Sequence, residues 1–273
     1  NQPSRVGKTF QKEIDMKFVI TTTQSQPEPG PGLLEFATAT GFEFIPRRRR
    51  GLAELAREQG ARGVIVWEPG GPVLYIDGEK LFFHPGMAKS RIAAYRKKGQ
   101  EDLLIKACQL QPGWSFLDCT LGMGADAIVA SYFSQTGQIT GLESEAAAAA
   151  VIGWGMKMYS SRMGWLNQAV NRIEVVNSDH RDYLPQLPAR SYDIVYFDPM
   201  FEQPLLRSQP LNPLRKLANS QPLDPASVEQ ACRAARRRVV MKTQAAGDEL
   251  ERLGFRRVPG SRHNPINYGV IDI

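Results

Sequence analysis

From Lys17 onward the chain alternates short apolar runs with stretches whose apolar positions recur at helical spacing. Residues 18–23, 63–67, 73–76 and 80–83 are apolar runs of strand length, and residues 33–40 and 52–58 carry a helical period. Pro27, Pro29 and Pro31, with their glycines, punctuate the first connection. This pattern predicts a small α/β unit over residues 16–85. Between residues 86 and 110 the spacing of Ile92, Tyr95, Leu103, Leu104 and Cys108 predicts a helical connecting segment broken near Gly99. Arg91, Arg96, Lys97 and Lys98 fall at its exposed positions. Beyond residue 111 the alternation becomes regular. Strand-like runs at 115–119, 139–143, 173–177, 194–198 and 239–242 are separated by helical patterns, including one from Ala125 and one through residues 145–150. Residues 255–258 and 268–273 predict a closing hairpin. Near-continuous apolar strands alternating with helices indicate a mainly parallel sheet covered on both faces. The fold class is therefore α/β, with a second, larger domain over residues 111–273.

Length and composition agree: 273 residues, 42% of them hydrophobic, suffice for one large core and a small accessory domain. The chain opens on Asn1, and Met16 precedes the first strand-like run, so residues 1–15 read as a leader outside the fold. No uninterrupted apolar run reaches the roughly 18 to 20 residues of a membrane-spanning helix, and no signal-peptide pattern opens the chain. The expectation is a cytoplasmic protein without a membrane partner. Cys108, Cys119 and Cys232 are odd in number and widely spaced, which suits buried hydrophobes and predicts no metal site.

Charge sharpens the picture when it is divided along the chain. The net +6 lies wholly in residues 1–100, with 16 Lys and Arg against 10 Asp and Glu, while the remainder is neutral. A basic region beside a neutral one suits contact with a polyanion, although solubility alone gives the same bias. The run Arg47 to Arg50 reads either as a solvated turn or as a phosphate contact.

The candidate chemistry begins at the end of the 115–119 strand, where Asp118 is followed by Thr120, Gly122, Gly124 and Asp126. Two glycines one residue apart at a strand-to-helix turn let backbone approach a ligand closely. Alone they also fit a dinucleotide fingerprint. Asp118 shifts the balance toward S-adenosylmethionine, which has no pyrophosphate for a helix N-terminus but carries an ammonium and a sulfonium that favour acidic neighbours. Glu143, about 20 residues after the glycines, is placed for ribose hydroxyls in either cofactor class. Asp179, after the third strand, is a candidate for the adenine amino group or else a turn residue.

The second signal is Asp193-Ile194-Val195-Tyr196-Phe197-Asp198-Pro199-Met200-Phe201. A base's exocyclic amine is a poor nucleophile because its lone pair is delocalised into the ring. A carboxylate at Asp198 and a backbone carbonyl near Pro199 can accept its two protons and turn the lone pair toward a methyl donor. Phe201 supplies a stacking face for an extruded base.

These motifs, with Arg238-Val239-Val240-Met241-Lys242 further on, resemble the class I S-adenosylmethionine-dependent methyltransferases. More narrowly they resemble the bacterial 16S ribosomal RNA guanine exocyclic-amine methyltransferase family, over residues 80–273. The resemblance implies a Rossmann-like methyltransferase sheet, S-adenosylmethionine as cofactor, and ribosomal RNA or the small ribosomal subunit as partner. It also implies Ala125, Asp126, Glu143, Ser144, Ser178, Asp179 and Asp198 as pocket residues. Lys242 either meets substrate phosphate or pairs with a carboxylate. The Pro-rich residues 203–225, with Arg207, Arg215 and Lys216, suit a substrate-gripping loop, while His84 and His263 read as structural. An adenine amino-methyltransferase acting on DNA shares the same motif logic, and a non-catalytic RNA-binding protein of this fold is the alternative outside catalysis.

Overall fold

The computed structural model describes residues 17–199, 221–244, 248–258 and 266–273. The proposed leader, Phe201, the basic loop residues Arg207, Arg215 and Lys216, and His263 lie outside the described residues.

The first unit builds one five-stranded sheet. Its elements are β1 (Phe18–Thr22), α1 (Pro31–Thr40), β2 (Glu43–Phe44), α2 (Leu52–Gln59), β3 (Gly63–Glu68), β4 (Gly71–Ile76) and β5 (Glu79–Leu81), in the order β2-β1-β3-β4-β5. The first three strands run parallel, and β4 and β5 add antiparallel. α3 (Gly86–Lys98) and α4 (Leu103–Cys108) follow. α3 stops at Gly99, whose φ of 63° continues no helix and whose N–H closes the last turn on the Tyr95 carbonyl. α4 starts on Asp102, which accepts the Leu104 N–H at 3.0 Å.

The large sheet uses β6 (Phe116–Asp118), α5 (Ala125–Ser134), β7 (Ile139–Glu143), α6 (Ala146–Met158), α7 (Gly164–Asn171), β8 (Ile173–Asn177), α8 (His180–Tyr183), β9 (Tyr192–Phe197), α9 (Pro225–Ala234), β10 (Ala235–Gln244), α10 (Glu249–Arg252), β11 (Arg256–Val258) and β12 (Ile266–Asp272). Strand order is β11-β12-β10-β9-β6-β7-β8, parallel from β8 through β10, with β12 antiparallel to both β10 and β11. β6, β7 and β9 are buried at every position, as strands covered on both faces must be. Successive strands run outward from β6 to β8 on one side and from β9 to β10 on the other. The carboxyl ends of β6 and β9 therefore flank the switch point where ligands of open α/β sheets lie.

The two sheets share a core. Phe36 of α1 and Trp67 of β3 pack edge-on against Trp154 of α6, and one apolar cluster runs from Ile20 through Ile92 to Phe116 and Tyr196. α8, α9 and α10 cover the opposite face of the large sheet with a second cluster around Val195, Phe197 and Val239. Cys108 and Cys119 are buried and unbridged, and burial pushes both thiols up, which disfavours the thiolate in each. No helix among the described residues is long and apolar enough to cross a membrane.

Arg91 departs from its expected exposed position. It is half-buried and grips Asp102 with two guanidinium nitrogens at 2.8 Å each, while its third nitrogen reaches Asp126 on α5. Helical spacing assigns a flank, but a partner 35 residues away decides whether that flank is covered. Arg96, Lys97 and Lys98 do lie exposed at the end of α3.

Candidate active site at the carboxyl edge

The site is assembled by two loops that leave neighbouring strands and are tied to each other. The Thr120 hydroxyl accepts the Asp198 N–H at 2.6 Å, and Cys119 N–H donates to the Tyr196 carbonyl at 2.8 Å. Asp118, buried at the tip of β6, accepts the Thr120 N–H at 3.0 Å. Thr120 thereby registers the glycine turn against the Asp198-Pro199 loop. The turn carries positive φ at Gly122 (51°) and Gly124 (73°), the region that favours glycine. At Gly124 packing adds a second requirement, because a Cβ would lie 2.2 Å from the Met156 methyl on α6.

Farther along the same edge, Glu143 ends β7 almost fully buried and accepts the Glu145 N–H at 3.0 Å. Asn177 donates to the Glu143 and Ser144 carbonyls at 2.8 and 3.1 Å, and Ser178 N–H donates to the Glu143 carbonyl at 3.1 Å, fastening the ends of β7 and β8 together. Asp179 caps α8 by accepting the Arg181 N–H at 2.8 Å and faces the Arg181 guanidinium at 3.4 Å. Its carboxylate thus does the work of a turn residue. His180 packs edge-on against Phe197 with its Nε2 buried and, among the described residues, without a hydrogen-bond partner. Burial lowers its pKa, so the ring is neutral.

The most connected group is Asp126. One oxygen takes Arg91, and the other takes the Tyr196 hydroxyl at 3.0 Å and the Lys242 ammonium at 3.1 Å. The same ammonium binds Asp198 at 2.7 Å. Of the two roles open to Lys242, the structure therefore shows carboxylate pairing. Burial works against the charge on Asp126, but Lys242 and Arg91 outweigh it and hold that carboxyl well below its ordinary range. Burial likewise opposes the Lys242 charge, and Asp126 and Asp198 overcome it. Asp198 moves the other way: burial, with Asp126 adding repulsion against the pull of Lys242, pushes its carboxyl up to about 6. Asp118 is likewise pushed well above its usual range, through burial first and the Asp126 charge next. Burial also raises Glu143.

Of the residues the sequence predicts here, Asp118, Thr120, Gly122, Gly124, Glu143, Ser144, Ser178, Asp179 and Asp198 lie at or just after the ends of β6, β7, β8 and β9, and Ala125 and Asp126 open α5. Sequence reasoning missed the part played by Arg91, Asp102 and Tyr196 around Asp126. Tyr196 stood inside the Asp-Pro motif, two residues before Asp198, and its inward strand position was the available signal. A separate cavity of about 450 Å³ between the start of α1 and Trp67 belongs to the small sheet and contains none of these groups.

The edge has the chemistry of a cation site. Asp118, Asp126, Asp198 and Glu143 outnumber Arg91 and Lys242, and two of these carboxylates sit where burial and like charge make an added cation favourable. A sulfonium and an ammonium fit that donor set, whereas a pyrophosphate would face it with like charge.

Comparison with known proteins agrees with this chemistry. The family described as "Putative SAM-dependent methyltransferase", where SAM is S-adenosylmethionine, matches residues 80–256. The chain is 37% identical over 195 residues to the "Uncharacterized protein YpiP" of Bacillus subtilis, covering 71% of this chain and 75% of that protein. It is 31% identical over 151 residues to "Ribosomal RNA small subunit methyltransferase J" of Thioalkalivibrio sulfidiphilus, covering 54% of this chain and only 58% of that enzyme. In fold, a solved SAM-dependent methyltransferase from Neisseria gonorrhoeae superposes with a TM-score of 0.58 at 20% identity, covering 93% of this chain and 95% of its own.

Proposed function

Because the chain belongs to the SAM-dependent methyltransferase family, we propose that it methylates the exocyclic amine of a guanine in ribosomal RNA. The observation that carries this reading is Asp198: a half-buried carboxylate at the switch point, one oxygen fixed by Lys242 at 2.7 Å, delivered by a strand that continues into Pro199. The ribosomal RNA methyltransferases among the relatives support the substrate class.

When bound, S-adenosylmethionine supplies an electrophilic methyl carbon whose bond pair to sulfur stays on sulfur as the amine nitrogen bonds to carbon. Asp118, Asp126 and the Gly122–Gly124 turn would hold its amino-acid end, Glu143 would take the ribose hydroxyls, and Ser144, Ser178 and Asp179 would flank its adenine. Asp198 accepts one amine proton through the oxygen that no described donor occupies, which aligns the lone pair and then receives the proton released by transfer. Phe201 stacks on the extruded guanine. Nucleoside mass spectrometry of 16S ribosomal RNA from cells with and without this protein should show one N2-methylguanosine lost in its absence. Unchanged guanosines, or methyl loss from DNA adenines instead, would overturn the assignment.

Exposed basic residues stand at Arg48 and Arg49 in the turn after β2 and at Arg96, Lys97 and Lys98 closing α3. Of these, Arg96 stacks over Trp165 at 5.3 Å beside Tyr132, an arrangement suited to stacked bases and phosphates. Reversing Arg48, Arg49, Lys97 and Lys98 to glutamate should weaken RNA binding and flatten its salt dependence by about 0.7 in log–log slope per lost phosphate contact. An identical slope in titrations from low to high salt would remove these residues from the RNA surface.

A further inference from the structure

Four charges of alternating sign run from α3 to the reacting centre: Arg91, Asp126, Lys242 and Asp198. They come from α3, α5, β10 and the end of β9, so the order is built by the fold and by no local motif. Each link leaves the next little freedom. Arg91 is held in place by its fork onto Asp102, itself pinned as the N-cap of α4. Both oxygens of Asp126 are occupied, one by Arg91 and the other by Tyr196 and Lys242, so its carboxylate cannot rotate. Lys242 is 16% exposed and spends two of its three protons bridging Asp126 and Asp198. Asp198 is thereby fixed through Oδ2, which turns Oδ1 away from the ammonium.

We infer that Arg91 and Lys242, acting through Asp126, are positioning residues that fix and charge-balance the Asp198 carboxylate, making α3 part of the catalytic apparatus. This rests on the reading of Asp198 as the acceptor of the amine proton. A buried charge pair is costly unless it is fully partnered, and here each of the four charges has a complement within the protein. Only the Asp198 Oδ1, which takes no described donor, is left to face the substrate. Removing Lys242 leaves Asp198 and Asp126 as unshielded like charges. Removing Arg91 leaves Lys242 to be shared by two carboxylates, one of them now short of a cation.

The groups bearing on Asp198 are Asp118 from β6, Asp126 from α5, Arg91 from α3 and Lys242 from β10, with Tyr196 of β9 and Tyr268 of β12 facing the same cluster. Of these only Arg91 and Lys242 favour the ionised carboxylate. Lys242→Met should move the acid limb of kcat/KM upward by about one pH unit or more, and Arg91→Gln should move it the same way by less. At a pH on the wild-type limb, that is about a tenfold loss. Lys242→Arg, which keeps the charge and guards against a variant that does not fold, should leave the limb near its wild-type position.

The direct measurement is the titration of the Asp198 carboxyl carbon by NMR in the full cofactor-free chain, which needs no RNA. An upward shift in Lys242→Met and a smaller one in Arg91→Gln support the inference even if guanine methylation is not found. An Asp198 titration unmoved in both folded variants, or a limb moved equally by Lys242→Arg, overturns it even if ribosomal RNA is methylated normally.

Discussion

Asp198→Ala should lower the turnover of methyl transfer to RNA by about a hundredfold or more, while the protein remains folded. The loss follows from the role proposed for Asp198: alanine removes the proposed acceptor of the amine proton, and leaves the Lys242 ammonium without the carboxylate it binds at 2.7 Å. An ammonium there repels charge developing on the amine nitrogen, so the variant loses an aid and gains an obstacle. Asp198→Asn separates the two effects, because it keeps an acceptor oxygen and loses the charge. Phe201→Ala should act differently. It removes a stacking face worth about 1 to 3 kcal/mol per base, seen in RNA turnover with cofactor affinity nearly unchanged. In the wild-type enzyme the Asp198 carboxyl, pushed up to about 6, must be ionised to accept a proton. Activity should therefore rise as pH increases through that value and level off above it. Single-turnover kinetics on 16S ribosomal RNA, with cofactor affinity followed by calorimetry, check both variants. Wild-type rates in a folded Asp198→Ala protein would place the chemistry elsewhere.

The part of this site that was legible in the sequence is the part written in strands. Asp118 and Asp198 each end an uninterrupted apolar run, and an acid in that position has no reason to be there for packing. Their strands lie side by side because the chain reverses its winding between β8 and β9, a consequence of topology that the alternation of elements already implied. What escaped sequence reasoning is tertiary. Arg91 looks like any exposed helical arginine until α5 brings Asp126 against it. Asp126, at the first turn of α5, is legible as a pocket acid beside the glycine turn, but its pairing with Arg91, Tyr196 and Lys242 is not. β2 spans two residues and α7 begins without a side-chain cap, so neither announced itself by periodicity or punctuation. Gly124 is a different case: its residue type signalled close approach, and the structure adds the Met156 methyl as a neighbour that demands it.

Asp126→Ala should give the largest loss of stability, about 3 to 5 kcal/mol, the range for breaking one partner out of a buried charge pair. Asp126 is 7% exposed and satisfies Arg91, Lys242 and the Tyr196 hydroxyl at once. Its removal strands a buried hydroxyl and leaves two cations with one carboxylate each, Asp102 and Asp198. Those remaining pairs set the expectation toward the lower end of the range. The pH dependence gives a second signature with a definite sign. The Asp126 carboxyl is held below its ordinary value of 3.8 in the folded protein, so its contribution is complete above that pH and fades as pH falls below it. Asp198 has the opposite sign. With a carboxyl raised to about 6, it withdraws stability as pH climbs from 3.8 toward that value. Removing Asp126 also removes a repulsion on Asp198, so the variant should show less of both trends: a shallower loss in acid and a flatter fall between pH 4 and 6. Urea unfolding at a series of pH values measures each. A variant that unfolds at the wild-type urea concentration, with the wild-type pH dependence, would mean that Asp126 is not the charge on which Arg91 and Lys242 depend.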